Sequence, residues 1–349
     1  MLIYLIVIIV LFVMHSNLQT ESNVTRRIKL EHSYVRSICT LFIILAALRY
    51  VMPGTDADGY MGWYMMMPKI TFDEVLEERD LSYIYYLSSK IFSLMGLSYH
   101  FWFAFLELLY LSAFIRIINR FSVDNLLCIF LFFTIGLFSF SMNGLKQTLA
   151  MCIIWHGFID SYDKKYVRAL IMVAFAYYCH KSSMVFLMAY IMLFIRNLKT
   201  IYYAIFVASL SMLVFSHSAV LESLAAYMGD EHYIDYLNDQ KGYAATTFIF
   251  YLILFGIAYF AKNKKMIYKT EEKDVRIVIG LAAISVFSQI FAFRVATAFR
   301  LSLYFTPFLI IYLSNKIRGN KEITLIVFVI ASVWLLYTSR SFPYKFFWQ

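Results

Sequence analysis

Arg49, Lys146, Lys181, Arg294 and Arg300 each stand at the mouth of an apolar run. A charge at that depth is costly and usually meets a partner, so five cations in such places mark a site. Guanidinium offers two parallel donors and ammonium a point charge, which together suit a phosphate or pyrophosphate at headgroup depth. Arg49 and Lys181 also fit simple snorkelling at helix ends, whereas Arg294 and Arg300 interrupt "FAFRVATAFRLSLYF", otherwise nearly uncharged. In "SFSMNGLKQTLAM" Asn143 and Gly144 stand at a helix mouth, with Lys146 and Gln147 on its first turn. Helix N-termini favour anions through their free N–H groups and dipole, although an ordinary cap has the same residues. His180, Lys181 and Ser182 of "YYCHKSSMVFL" mark a tight turn. An imidazole there is commonly structural and also suits proton transfer.

Carboxylates supply the other half of the chemistry. "RYVMPGTDADGY" follows an apolar run with Asp56, Asp58 and Tyr60, and Glu78 and Asp80 follow soon after. Asp56 is the first candidate for a base or for positioning an acceptor hydroxyl, with Glu78 and Asp80 as rivals and Asp58 and Tyr60 as substrate contacts. The "DAD" tripeptide is too short to specify a metal, and no P-loop or glycine-rich dinucleotide turn is present. The expectation is therefore no metal and no cofactor. Glu107 and His156 lie deep in apolar runs, where intramembrane partners are expected. The abundant aromatic residues, in runs such as "YHFWF" and "FPYKFFW", read mainly as interface anchors.

The elements that must position these residues are membrane helices. The chain has 349 residues, of which 62% are hydrophobic and 15% charged, with mean hydropathy +0.69, a composition that excludes a soluble globular domain. Apolar windows fall near 1–14, 36–51, 99–115, 123–140, 144–160, 166–180, 182–196, 200–217, 244–261, 275–293, 297–314 and 322–338. This predicts an all-α polytopic membrane protein of about 12 transmembrane helices. The stretch 81–97, "LSYIYYLSSKIFSLMGL", carries Lys90 and several hydroxyls in an amphipathic pattern and reads as a surface or re-entrant outer helix. With 81–97 not crossing, alternate loops collect most of the 31 Lys and Arg on one face, which makes that face cytoplasmic and both termini external. The same rule explains the net charge of +9 without nucleic acid. The outer loops 52–98 and 218–243 are rich in carboxylates instead. Cys39, Cys128, Cys152 and Cys179 are isolated core residues, and the N-terminal run lacks a cleavage pattern and reads as a retained helix. One embedded domain, 1–349, is expected.

The order Arg49, "GTD", Tyr60, an acidic residue before "YLSSKIFSLMGLS", "NGLKQTLA", "CHKSSMVFL", late arginines and a terminal "PYKFFW" resembles the EpsG family of Wzy-type polysaccharide polymerases. The resemblance implies a GT-C-like helical bundle in the bacterial inner membrane, joining undecaprenyl-pyrophosphate-linked oligosaccharides at the periplasmic or outer face into O-antigen, capsule or exopolysaccharide. It implies Arg49, Lys146, Arg294 and Arg300 on the pyrophosphate, and His180 as proton acceptor or further pyrophosphate ligand. Lys181 and Ser182 lie alongside it. The family's "NGLKQ" position more commonly holds arginine where this chain has Lys146, which keeps the charge and loses the fork. A flippase and a chain-length regulator are the implied partners, beside donor, acceptor and bilayer. An O-antigen ligase and a lipid-oligosaccharide flippase are the rival functions.

Overall fold

The computed structural model describes residues 2–76, 82–194, 241–261, 272–293, 299–340 and 344–348. Glu78, Asp80, Arg294, the expected helix 200–217 and the loop 218–240 lie outside the described residues. Among the described residues all regular structure is helical. Four helices are long and apolar enough to cross a membrane: α1 (Leu2–Thr20), α2 (Val24–Leu48), α6 (Tyr99–Phe121) and α16 (Lys321–Thr338). The other helices lie between them. These are α3 (Asp56–Met66), α4 (Phe72–Leu76), α5 (Tyr83–Leu94), α7 (Asn125–Ile135), α8 (Leu137–Ser141), α9 (Leu145–Tyr162) and α10 (Tyr166–Cys179), then α11 (Leu187–Met192), α12 (Lys241–Phe260), α13 (Glu272–Phe287), α14 (Phe299–Leu303) and α15 (Thr306–Ile317).

Several stretches expected as single helices are divided, each by an identifiable local cause or a change of helix type. The run 123–140 breaks at Gly136, whose φ of 103° lies in the left-handed region that favours glycine. The run 297–314 breaks before Pro307, which stands in the first turn of α15 and supplies no N–H to a continuing helix. The runs 182–196 and 275–293 each include a 3₁₀ segment, Lys181–Phe186 and Ser288–Phe293. At 12 residues α5 reaches about 18 Å, short of the hydrocarbon thickness. In the opposite sense, α2 extends back to Val24, capped by the Asn23 side chain accepting from the Arg26 N–H at 3.0 Å. Arg26, Arg27, Lys29 and Arg36 therefore ride on its first turns and not in a loop.

The described chain gathers into two compact units, one of residues 1–120, 124–184 and 320–349, the other of 121–123 and 185–319. In the first, α7 is buried on every side, as an apolar helix without a polar stripe must be. It packs against α1, α2 and α16 through rings such as Phe42 on Phe133 (5.2 Å between centroids) and Phe130 on Phe328 (3.9 Å). The outer faces are apolar as well: Ile9, Phe12 and Val13 of α1, Leu170 and Phe175 of α10, and Val329 and Val333 of α16 are exposed. Side chains of that kind meet acyl chains in a multi-pass membrane protein.

Polar groups in the first unit pair at two separate levels. At one, His15 Nε2 meets Asp124 Oδ2 at 3.1 Å, and the Asn125 N–H donates to Glu31 Oε1 at 2.7 Å. At the same end Asp160, fully buried, binds Arg116 at 2.5 Å and Arg168 at 2.9 Å. Arg116 also reaches His156, which Ser112 meets on the other ring nitrogen. The other level is the candidate site. Asp160 lies in the last turn of α9 and Lys146 in its first, so the two levels are about 21 Å apart along the helix.

The second unit packs α13 against α15, with α12 and the Ser288–Phe293 segment alongside. Its interior holds hydroxyls in a chain. Tyr251 and Ser285 both reach Thr306 Oγ1, at 3.2 and 3.3 Å, and Gln289 donates to Ser302 at 2.6 Å. Apolar helices in a membrane satisfy such groups among themselves.

Candidate functional site

The site is built at one end of the first unit on a single buried cluster that includes Val51, Ala57, Tyr64, Tyr85, Trp102, Leu145 and Cys179. Val51 lies two residues from Arg49, Ala57 sits between Asp56 and Asp58, Leu145 precedes Lys146 and Cys179 precedes His180. Three segments distant in the chain, 49–58, 145–147 and 179–180, are thereby brought to one end. Arg300 belongs to the second unit, in the first turn of α14, and Arg294 lies outside the described residues.

Arg49 terminates α2 and is only 5% exposed. Its guanidinium lies 4.2 Å from the centre of the Phe103 ring, and Nε and Nη2 have no hydrogen-bond partner among the described residues. Donors on a desolvated cation with nothing to bind are costly, and an anionic ligand removes that cost.

A segment that the sequence marked as an aromatic run and as part of the family pattern holds Arg49 in place. Arg49 pairs with Phe346 in an antiparallel bridge, the Tyr50 N–H donates to the Lys345 carbonyl at 2.8 Å and the Phe347 N–H to that of Leu48 at 3.0 Å. The Tyr344 hydroxyl donates to the Leu45 carbonyl at 2.7 Å. Behind this strap, His100 Nδ1 donates to the Ala47 carbonyl at 2.6 Å and its ring meets Phe347. The end of α2 is thus fixed by backbone bonds on both sides.

The acidic stretch expected as open loop is instead helix α3, which begins at Asp56. Its start is set by two hydrogen bonds. Asp58 Oδ2 accepts from the Gly54 N–H at 3.0 Å, and Asn143 Oδ1 accepts from the Ala57 N–H at 3.3 Å. The second bond joins the "GTD" and "NGLKQ" segments directly, across 86 residues of sequence. Asp58 is thereby engaged by its own turn, while Asp56 stands on the same first turn and is partly exposed. Lys90 of α5 holds the far end of this segment, its buried ammonium donating to the carbonyls of Met67 and Ile70. The amphipathic pattern of α5 was visible in the sequence. The carbonyls that Lys90 would find were not.

Lys146 and Gln147 lie in the first turn of α9, both buried. The Lys146 ammonium sits 4.4 Å from the Tyr86 ring centre and 5.9 Å from that of Tyr60, a cation held on aromatic faces at a helix N-terminus. Tyr60 in turn packs on Tyr85, at 5.3 Å. Gly144 just before the helix is closely approached by a ring, since a Cβ there would lie 2.4 Å from Phe140 Cζ.

His180 closes α10, donating its N–H to the Ala176 carbonyl at 3.0 Å. Its Nδ1 accepts from the Ser182 N–H at 3.2 Å, with Ser182 Oγ at 2.7 Å. Lys181 between them is exposed. Glu107 lies behind the site, accepting from the Ser141 hydroxyl at 2.6 Å, so its partner is within the bundle. Among the described residues no group of three His, Cys, Asp or Glu side chains is gathered to hold a metal ion.

The arrangement presents buried cations, a helix N-terminus and a carboxylate on one face, which is the equipment for binding an anionic leaving group beside a nucleophile. No curated protein and no solved structure matches the chain. A model of the EpsG family matches residues 32–348, from α2 through the strap. The chain therefore belongs to the EpsG family of Wzy-like exopolysaccharide and O-antigen polymerases, and is a membrane polymerase of polysaccharide repeat units.

Proposed function

We propose that the chain, acting as one integral membrane domain over 1–349, transfers a growing glycan from undecaprenyl pyrophosphate to a hydroxyl of another lipid-linked repeat unit. The reaction takes place at the outer face of the bacterial inner membrane. The observation that carries this reading is that Arg49 and Lys146 lie on rings of one buried aromatic cluster, whose members Ala57 and Cys179 adjoin Asp56 and His180 in the chain, at the end of the unit away from Arg116, Arg120, Lys164, Lys165 and Arg168. Basic residues favour the cytoplasmic side, so the site end faces outward.

In the reaction the acceptor oxygen attacks the anomeric carbon and forms the new glycosidic bond. The bond from that carbon to the pyrophosphate oxygen breaks, and its electron pair leaves with the lipid diphosphate. The acceptor proton passes to the Asp56 carboxylate and then to water. Arg49 and Lys146 stabilise the charge developing on the diphosphate, and Arg294 and Arg300 are assigned to the same group. Lys146 contributes as a point charge without a fork. A flippase that delivers the donor and a chain-length regulator are the expected partners.

Loss of one preorganised donor of this kind costs on the order of 10²–10³ in rate. Arg294→Ala and Arg300→Ala are each expected to abolish long polymer in cells while protein abundance stays unchanged. Long polymer from either variant overturns its assignment. In a knockout, single repeat units retained on the surface fit a polymerase, whereas complete loss of surface glycan fits a ligase.

A further inference from the structure

Three arginines gather around one carboxylate at the end of the first unit opposite the candidate site. Asp160 of α9 is fully buried and pairs with Arg116 of α6 at 2.5 Å and with Arg168 of α10 at 2.9 Å. Arg120 stands one turn beyond Arg116. Its guanidinium lies 4.6 Å from the centre of the Tyr162 ring, and its buried Nε has no hydrogen-bond partner among the described residues. Lys164 and Lys165 follow in the turn that joins α9 to α10. Over 116–120 and 156–168, five Lys and Arg therefore stand against two carboxylates, Asp160 and Asp163. Like charges gathered so closely repel one another, and an anion among them removes that cost.

The turn itself adds a second observation. Lys164 has a φ of 64°, in the left-handed region that favours glycine. Its N–H donates to the Ser161 carbonyl at 3.0 Å and that of Lys165 to the Asp160 carbonyl at 2.8 Å, the closing bonds of a helix that ordinarily ends on glycine. A lysine there bears a backbone cost that glycine avoids, and its side chain is exposed. A third observation lies along α10. Arg168 meets Asp160 through Nε with its side chain 61% exposed, and Leu170, Ile171 and Phe175 beyond it are exposed on the same helix.

We infer that the cations where α6, α9 and α10 meet bind the headgroup phosphate of an anionic phospholipid in the adjoining leaflet, its acyl chains lying along α10. Guanidinium forks suit the phosphate oxygens. A soluble phosphate has the same charge and no use for the apolar strip, so the ligand is a lipid. This inference rests on the membrane architecture and stands independently of the polymerase reading.

The full chain in phosphatidylcholine nanodiscs, with dioleoyl phosphatidylglycerol added, is followed by native mass spectrometry and thermal unfolding. Wild type is expected to retain phosphatidylglycerol in preference to phosphatidylcholine and to unfold at a higher temperature with it. Lys164→Gly removes the ammonium and suits the backbone, so it should unfold no lower than wild type in phosphatidylcholine alone, yet bind phosphatidylglycerol about fivefold more weakly. Adding Arg168→Gln should bring the loss to about 25-fold. The pair Arg27→Gln and Lys29→Gln, on the basic first turns of α2, should keep the wild-type preference. Wild type without a preference, a Lys164→Gly, Arg168→Gln protein that binds as wild type does, or an equal loss in the α2 pair overturns the site. Inorganic phosphate that raises the unfolding temperature as far as phosphatidylglycerol does overturns the lipid as its ligand.

Discussion

Gly144→Ala is the sharpest test of how the site is packed. An added Cβ would lie 2.4 Å from Phe140 Cζ, 2.8 Å from Cε2 and 3.1 Å from Cε1. Carbon atoms rest at about 3.5–4.0 Å, so the methyl overlaps the ring by about 1 Å. The two residues share one turn, in which the Gly144 and Asn143 N–H groups donate to the Phe140 carbonyl at 2.8 and 2.9 Å. The backbone therefore cannot carry the ring away without losing those bonds. Overpacking of this kind costs about 1–3 kcal/mol. At an N-cap, replacing glycine by alanine alone costs on the order of 1 kcal/mol, so a loss well above that, recovered when the ring is trimmed, reports the clash. Relief requires the partly exposed Phe140 ring to turn aside, or movement of the α9 start, which carries Lys146, or of Asn143, which holds α3 through Ala57. The variant should unfold at lower temperature in detergent and make shorter polymer. Phe140→Leu added to it should recover part of both, with a coupling of about 0.5–3 kcal/mol. A G144A protein that unfolds at the wild-type temperature and extends glycan normally refutes the close approach.

Two further outcomes concern the strap and the opposite end of the unit. Phe347→Pro deletes the N–H that donates to the Leu48 carbonyl beside Arg49. Loss of that bond, worth about 1 kcal/mol, should reduce polymer length with little change in abundance, and Phe347→Ala, which keeps the N–H, should reduce it less. Equal effects of the two would show that the ring and not the backbone bond matters. Asp160→Ala leaves Arg116 and Arg168 without their shared, fully buried carboxylate. Because the two arginines reach solvent, it should destabilise the protein by about 1–3 kcal/mol, read as lost abundance of a fluorescent fusion, while any folded remainder extends glycan at the normal rate. Normal abundance contradicts that role.

The apolar runs made the membrane architecture legible, and two of the cations at their mouths, Arg49 and Lys146, lie on rings of one buried cluster in the first unit. Three features were hidden for physical reasons. Helix α3 has two glycines and no apolar stripe, and it forms where Asn143 and the buried cluster receive it. Tertiary contact there overrides weak local propensity. The strap pairs residues 49 and 346, a non-local bond with no local signature. The breaks at Gly136 and before Pro307 lie inside runs whose hydropathy is continuous, so only the backbone shows them. The separation of Asp56 from Asp58 was equally invisible, because it depends on which carboxylate turns back to the Gly54 N–H.

The central claim is that this chain forms glycosidic bonds at the expense of a lipid diphosphate. It is tested most directly by the purified protein in liposomes with one defined undecaprenyl-pyrophosphate-linked repeat unit, each product followed by mass spectrometry. The account predicts one undecaprenyl pyrophosphate released for every new glycosidic bond, and neither product from Arg49→Ala. Repeat units that cross the bilayer without being joined, or joining that proceeds undiminished without Arg49, contradict it.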